Sequence, residues 1–190
     1  MLFAYETNRL ILRVPKPDAA AAVLDFYLRD RAYFEQFEPD RPNQFYTLNF
    51  QKAMLRFEYN AAIKLHSVRF YVFSKSAPDR VIGTICFRNI QSSVYSSCEI
   101  GYKFSTDSQH QGYATEAMEK VLDIIFDDLQ LHRVMAMVLP DNIPSIRLLA
   151  RLGFLCEGIS REHMQLQGVW RDHAQYCLLA SDHISRGHSQ

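Results

Sequence analysis

The stretch "DSQHQGYATEAMEK", residues 107–120, changes character at its centre. Its first half is polar and ends at Gly112, and its second half opens an amphipathic helix. A helix start carries unpaired N–H groups and a partial positive charge, so it attracts phosphate. For a backbone to touch a pyrophosphate, the side chains of the turn must be small or absent. Gly112 can adopt a positive φ, Ala114 lets the helix lie close to its strand, and Gln109 and Gln111 add neutral donors. Tyr113 and Thr115 flank them. A nest of N–H groups needs no lysine. The spacing Gln109-x-x-Gly112-x-Ala114 also suits a plain strand-to-helix turn. Neither G-x-x-x-x-G-K-[ST] nor G-x-G-x-x-G is present, which disfavours a nucleotide-hydrolysing loop and a dinucleotide fold.

The helix beyond Gly112 carries one apolar stripe of Ala114, Ala117, Met118, Val121, Leu122, Ile125 and Leu129, with charges opposite. Upstream, "SSCEIGYKFS" (96–105) is a strand with Gly101 in its interior, where a glycine marks a bulge or a close approach to a ligand. A bulge at Ile100, Gly101 and Tyr102 would splay this strand from "HRVMAMVL" (132–139). Such a gap suits an extended amide-bearing chain that ends in a pyrophosphate. The pantetheine arm of coenzyme A is one.

The remaining elements follow from pattern. "RLILRV" (9–14) is a strand, and Asp18 caps an alanine-rich helix to about Leu28. An aromatic segment with Tyr33, Phe34, Phe37, Phe45 and Tyr46 precedes a second helix, about 47–64. "VRFYVFSK" and "RVIGTICFRNI" form an antiparallel hairpin. In "PDNIPSIRLLARLGF", Asp141 or Asn142 caps a helix that Gly153 ends. Two long strands then turn near Gly168, with Trp170 expected to pack at the strand pair, and residues 182–190 read as a frayed tail. The expected fold is mixed α+β in a single domain over 1–190, core about 7–181. A central, mostly antiparallel twisted sheet is splayed at a bulged strand and flanked by about four helices.

Composition narrows the function classes. The 190 residues are 48% hydrophobic, and 21 basic residues balance 21 acidic ones, so nothing favours nucleic acid or an anionic membrane as partner. The cysteines 86, 98, 156 and 177 form no C-x-x-C pair and read as buried free thiols, and no metal-ligand spacing occurs. His110 is expected to face solvent, and His132 and His173 to be structural. "MLFAYETNRLILR" is interrupted by Glu6, Asn8 and Arg9, so it lacks a signal-peptide core, and a cytoplasmic location is expected.

The chain resembles the GNAT superfamily of acyl-CoA N-acyltransferases, closest to its ribosomal-protein-alanine N-acetyltransferase branch. The similar stretches are "ETNRLILR", "VIGTICFRNI", "CEIGYKFS", "HQGYATEAM", "LHRVMAMVLPDNIPSIRLLARLGFLCEG" and "DHAQYCLL", from about Thr7 to Leu179. The family's pyrophosphate motif falls on Gln109, Gly112 and Ala114, its bulged strand on Ile100, Gly101 and Tyr102, and its N-x-x-S helix start on Asn142 and Ser145. The resemblance implies acetyl-CoA as donor, no metal, and direct attack by an amine in a ternary complex. The implied acceptor is a protein N-terminus, or else a polyamine, antibiotic amine or amino acid. The protein would be a monomer or homodimer. Many members place an acidic tyrosine seven residues after the motif asparagine, where this chain has Leu149. Ser145 is then the candidate general acid, and Glu99, on the splayed strand, the candidate base. Backbone N–H groups near Gly101 and Tyr102 would polarise the carbonyl. In this fold the two helices after the first strand line the acceptor cleft, so the aromatic segment contributes to it. Two other readings stay open: a non-catalytic acyl-CoA sensor, and a regulator that binds nucleotides without pantetheine.

Overall fold

Strands and helices form where side-chain periodicity lets one face or both be buried. In this computed structural model, which describes residues 1–187, eight strands form one sheet in the order β1-β2-β3-β4-β5-β6-β8-β7. They are β1 Ala4–Glu6, β2 Leu10–Arg13, β3 Ser67–Ser74, β4 Ala77–Gln91, β5 Ser97–Phe104, β6 Arg133–Val138, β7 Leu155–Leu166 and β8 Val169–Leu179. Every pairing is antiparallel except β5 with β6. The helices are α1 Ala20–Arg29, α2 Arg31–Phe34, α3 Leu48–Ile63, α4 Tyr113–Asp123, α5 Ile143–Arg151 and α6 Ala180–Gly187.

The central strands are buried on both faces, so they sort side chains into two cores. Phe70, Val72, Ile85, Phe87 and Ile100 pack with Met118, Val121 and Leu122 of α4 and Leu149 of α5. Tyr71, Phe73 and Val81 pack on the opposite face with Val23 and Phe26 of α1, Leu55 of α3, and Phe34 and Phe45. The sheet therefore has an α4–α5 face and an α1–α3 face.

Several expectations need correction. β1 was not foreseen, because Glu6 and Asn8 break the apolar pattern around it. Asp18 makes no cap hydrogen bond: it lies in a 3-10 turn, Pro17–Ala19, and α1 begins after it. The stripe after Gly112 runs into a π-helical segment, Ile124–Asp128. The expected frayed tail is instead α6 as far as Gly187, with His183 Nε2 2.9 Å from Asp123 Oδ1; residues 188–190 lie outside the described residues. Cys86, Cys98 and Cys177 are buried, but Cys156 is exposed on the edge strand β7. Trp170 does not pack between strands: it is 58% exposed. The α1–α3 side also holds the short α2, so the described helices outnumber the expected four.

The sheet parts between β5 and β6, as expected, but not by a bulge at Gly101. β5 pairs with β6 only at Ser97–Arg133, Cys98–Val134 and Glu99–Met135. Beyond Glu99, the β6-facing edge of β5 has no strand partner, while β6 continues with β8 as far as Val138 opposite Ala174. The register of β5 with β4 is unbroken from Glu99 to Phe104, and the irregularity lies on β4 between Arg88 and Gln91, where Asn89 has φ 52°.

Candidate active site

The turn before α4 is braced from three directions. His110 and Gly112 both have positive φ, 58° and 79°, the kind of left-handed turn backbone from which a nest of N–H groups is built. A Cβ on Gly112 would be strained at this φ and would meet the Arg9 guanidinium at 3.3 Å. Arg9 donates from one nitrogen to the Gln111 carbonyl (3.0 Å) and from Nε to Glu116 (2.7 Å), and its guanidinium lies over the Tyr113 ring. Glu116 also accepts from the Thr7 hydroxyl (2.6 Å). Burial pushes its carboxyl up, but the hydrogen bonds from Thr7 and Arg9 win and hold it below the usual range. On the other side Asp30 accepts from the Thr106 hydroxyl (2.6 Å), and Arg80 pairs with Asp107.

The predicted turn residues are brought together, with one difference of role. The Gln111 side chain donates to the Asp107 carbonyl (2.8 Å), so it holds the turn rather than facing outward. Gln109 and Ala114 are half-buried, and the Thr115 hydroxyl accepts from Arg151 (3.3 Å). His110 is exposed, as expected.

At the far wall, Asn142 is the residue that caps α5: its side-chain oxygen accepts from the Ser145 N–H (3.2 Å), while Asp141 pairs with Arg171. Such a cap is worth about 1 kcal/mol. Ser145 Oγ lies 2.7 Å from the Tyr102 hydroxyl, so a side-chain contact joins β5 to the first turn of α5. Burial pushes the Tyr102 phenol up to about 12, with the Ser145 contact working against it. Leu149 is fully buried in the core and does not line this wall. Ile100 is also in the core, so only its backbone can face the gap.

The period-2 alternation of β5 sends Glu99, Gly101 and Lys103 to the α1–α3 face. Glu99 is the last residue paired before the gap, and it accepts from Asn89 (2.9 Å) and Arg88 (3.3 Å). Gly101 is exposed, and a Cβ there would meet nothing within 4 Å. Lys103 pairs with Glu38 and stands near the rings of Tyr27 (4.9 Å) and Phe34 (5.2 Å). Burial pulls its amine down to about 8, against the pull of Glu38. Arg41 also binds Glu38 (2.6 Å) and lies 4.2 Å from the Phe45 ring. Farther along, Arg69 pairs with Glu58 (2.7 Å). Phe34 and Phe45 thus hold this cleft from within its core, while Tyr46 donates to Glu35 (2.9 Å) and Tyr33 and Phe37 meet edge to face, half-buried beside them. The β7–β8 turn reaches over, with Gln167 donating to the Glu35 carbonyl (3.0 Å).

Arg9, the Tyr102 side chain, the Glu38–Lys103–Arg41 group and Gln167 escaped the sequence reading. For β5 a signal existed, because alternation alone separates Tyr102 from Glu99 and Lys103. Glu38 and Arg41 are an i,i+3 pair, a local spacing the sequence does show. For Arg9, Lys103 and Gln167 there was no signal, since each meets its partner across the fold. Among the described residues no cluster of three or more His, Cys, Asp or Glu could hold a metal, and no helix is long and apolar enough to cross a membrane.

This architecture matches known proteins. A family model described as "Acetyltransferase (GNAT) domain" matches residues 9–155. The "Probable N-acetyltransferase YjcK" of Bacillus subtilis is 36% identical over 154 residues, 80% of this chain and 84% of that protein. A solved ribosomal-protein-S5-alanine acetyltransferase from Vibrio fischeri has a TM-score of 0.89 at 27% identity, covering 94% of this chain and 97% of that one. RimJ of Mycobacterium smegmatis, solved in complex with CoA-disulfide, has a TM-score of 0.84 at 25% identity, covering 94% and 89%.

Proposed function

The chain belongs to the GNAT family of acetyltransferases, and on that premise we propose that it carries acetyl from acetyl-CoA to the N-terminal α-amino group of a protein, a ribosomal protein being the type substrate. One observation carries the donor half: β5 and β6 part after Glu99 and Met135, with the Gly112 nest at the mouth of α4. The residues fit the donor. The nest offers N–H groups to a pyrophosphate. The free β6-facing edge of β5 offers strand-like hydrogen bonds to an amide-bearing arm, and the same N–H groups can polarise a thioester carbonyl.

The two faces of the sheet divide the chemistry. Glu99 stands on the α1–α3 side, where an amine would arrive, and Ser145 stands on the α5 side, where a thiolate would leave. An α-amino group has a pKa near 8, so Glu99, directly or through a water, is base enough to accept its proton. Gly101 leaves open room beside Glu99 for the acceptor chain.

Charge favours a peptide over a polyamine. Around Gly101 the cations Arg41, Arg69, Arg88 and Lys103 face the carboxylates Glu38, Glu58 and Glu99, an excess of one positive charge. Such a face disfavours a polycation. The test is calorimetry with acetyl-CoA, then thiol release with alanine-initiated peptides, spermidine, an aminoglycoside and free amino acids. The peptides should lead in kcat/KM by about tenfold or more. Faster turnover of spermidine would overturn the acceptor reading, and absence of binding heat the donor reading.

A further inference from the structure

Helix α5 offers no phenol to the gap, because Leu149, at the position where a tyrosine acid is common, is fully buried in the core. A phenol nonetheless reaches the same place from the opposite wall. Tyr102 leaves β5 on the α4–α5 face, and its hydroxyl meets Ser145 Oγ at 2.7 Å and the Ser145 carbonyl at 3.3 Å. The backbone of Ser145 is itself fixed by the Asn142 cap. We infer that Tyr102 acts through Ser145 as the proton-supplying half of a two-hydroxyl relay that protonates the departing thiolate.

The inference rests on the acetyl-transfer chemistry above. Either oxygen can donate along the 2.7 Å contact, and in the arrangement where the phenol donates to Oγ the Ser145 O–H is left free to donate elsewhere. A serine hydroxyl alone is a far weaker acid than a thiol, and the Tyr102 phenol, even pushed up to about 12 by burial, stands between the two. Burial keeps Tyr102 protonated through the neutral range, so the proton is present when needed. The step balances as follows. The amine nitrogen forms a bond to the acetyl carbon, and the C–S bond breaks with its electron pair going to sulfur. Sulfur takes the Ser145 proton, Ser145 takes the Tyr102 proton, and the tyrosinate is reprotonated by water. The proton lost from nitrogen leaves by Glu99. A phenol anchored on β5 thus replaces one anchored on α5.

The test starts from wild-type turnover with the best acceptor of the panel, which settles the acetyl-transfer reading by itself. Against that baseline, Tyr102→Phe should lower kcat roughly 10- to 100-fold, with the calorimetric Kd for coenzyme A within about twofold. Tyr102→Phe combined with Ser145→Ala should be no slower than Ser145→Ala alone, because the two hydroxyls act as one unit. Replacing Tyr102 by 3,5-difluorotyrosine preserves shape but lowers the phenol pKa. Its kcat should then fall with rising pH in an alkaline range where the wild type is flat. A Tyr102→Phe enzyme with undiminished kcat, a loss confined to the KM for acetyl-CoA, or a difluorotyrosine profile that overlays the wild type would each overturn the relay.

Discussion

The two sides of the parted sheet are built on different principles. The donor side is mostly backbone: the left-handed turn at Gly112, the free edge of β5, and the capped start of α5. The acceptor side is mostly side chains: Glu99 with Arg88 and Asn89, Lys103 with Glu38 and Arg41, Arg69 with Glu58, and Gln167 on Glu35. A backbone site tolerates change in nearly every side chain provided one or two positions keep the right φ. A side-chain site changes with each substitution. The donor should therefore be the general half of this enzyme and the acceptor the particular half.

Replacing Gly112 strikes the donor half hardest. Gly112→Val forces a β-branched residue to φ 79° and places its Cβ against Arg9. We expect a loss of about 3 kcal/mol in acetyl-CoA affinity, roughly a hundredfold, read by calorimetry. An unchanged Kd would remove the phosphate nest from the account. Glu38→Ala makes the complementary cut. It strips Lys103 and Arg41 of a shared partner in a mostly buried setting, and should cost about 2 kcal/mol of stability in denaturant titration. In the folded protein the coenzyme A affinity should stay unchanged; a parallel loss of donor binding would erase the division between the halves.

The charge on Lys103 gives a smaller and more specific signal. Its amine titrates at about 8 in the folded chain and near 10.4 when unfolded, so between these values the unfolded chain binds more protons. Stability from this group therefore rises with pH across that window. Buried Cys98 and Cys177, whose thiols burial pushes up to about 12 and about 11, oppose it in the same range. The observable is accordingly the difference between wild type and Lys103→Met, which should move toward the wild type by roughly 1–2 kcal/mol from pH 8 to pH 10. A flat difference would show that Lys103 is not held as its surroundings indicate. The smallest effect belongs to the β7–β8 turn. Gln167→Ala deletes one hydrogen bond, worth about 1 kcal/mol or less, and should raise the acceptor KM a few-fold with the acetyl-CoA KM untouched.

Legibility in the sequence followed the same division. The helix after Gly112, the cap at Asn142 and the β3–β4 hairpin were readable because their signals are local: a period, a cap residue, a turn. The splay was anticipated from Gly101, but for a different local reason. The strand stays regular at Gly101 and the irregularity sits on β4 at Asn89, since nothing in a strand's own residues says which neighbour absorbs a bulge. Trp170 and Cys156 were placed inside because they are residue types often buried, yet they lie on or near the edge strand β7, which nothing covers among the described residues. The end of the chain read as frayed because its composition is polar, and packing of α6 through His183 onto Asp123 overrode that.

The sequence by itself determined the kinds and order of most elements and the left-handed turn that only a glycine fits comfortably. Those depend on backbone dihedrals and on side-chain spacing over a few residues. Only the tertiary structure decided that Tyr102 meets Ser145 across 43 residues, that Arg9 braces the turn through Glu116 across 107, and that Glu38 sits on Lys103. Such pairings are set by strand register and by how the helices lie on the two faces, and no short window of sequence encodes either.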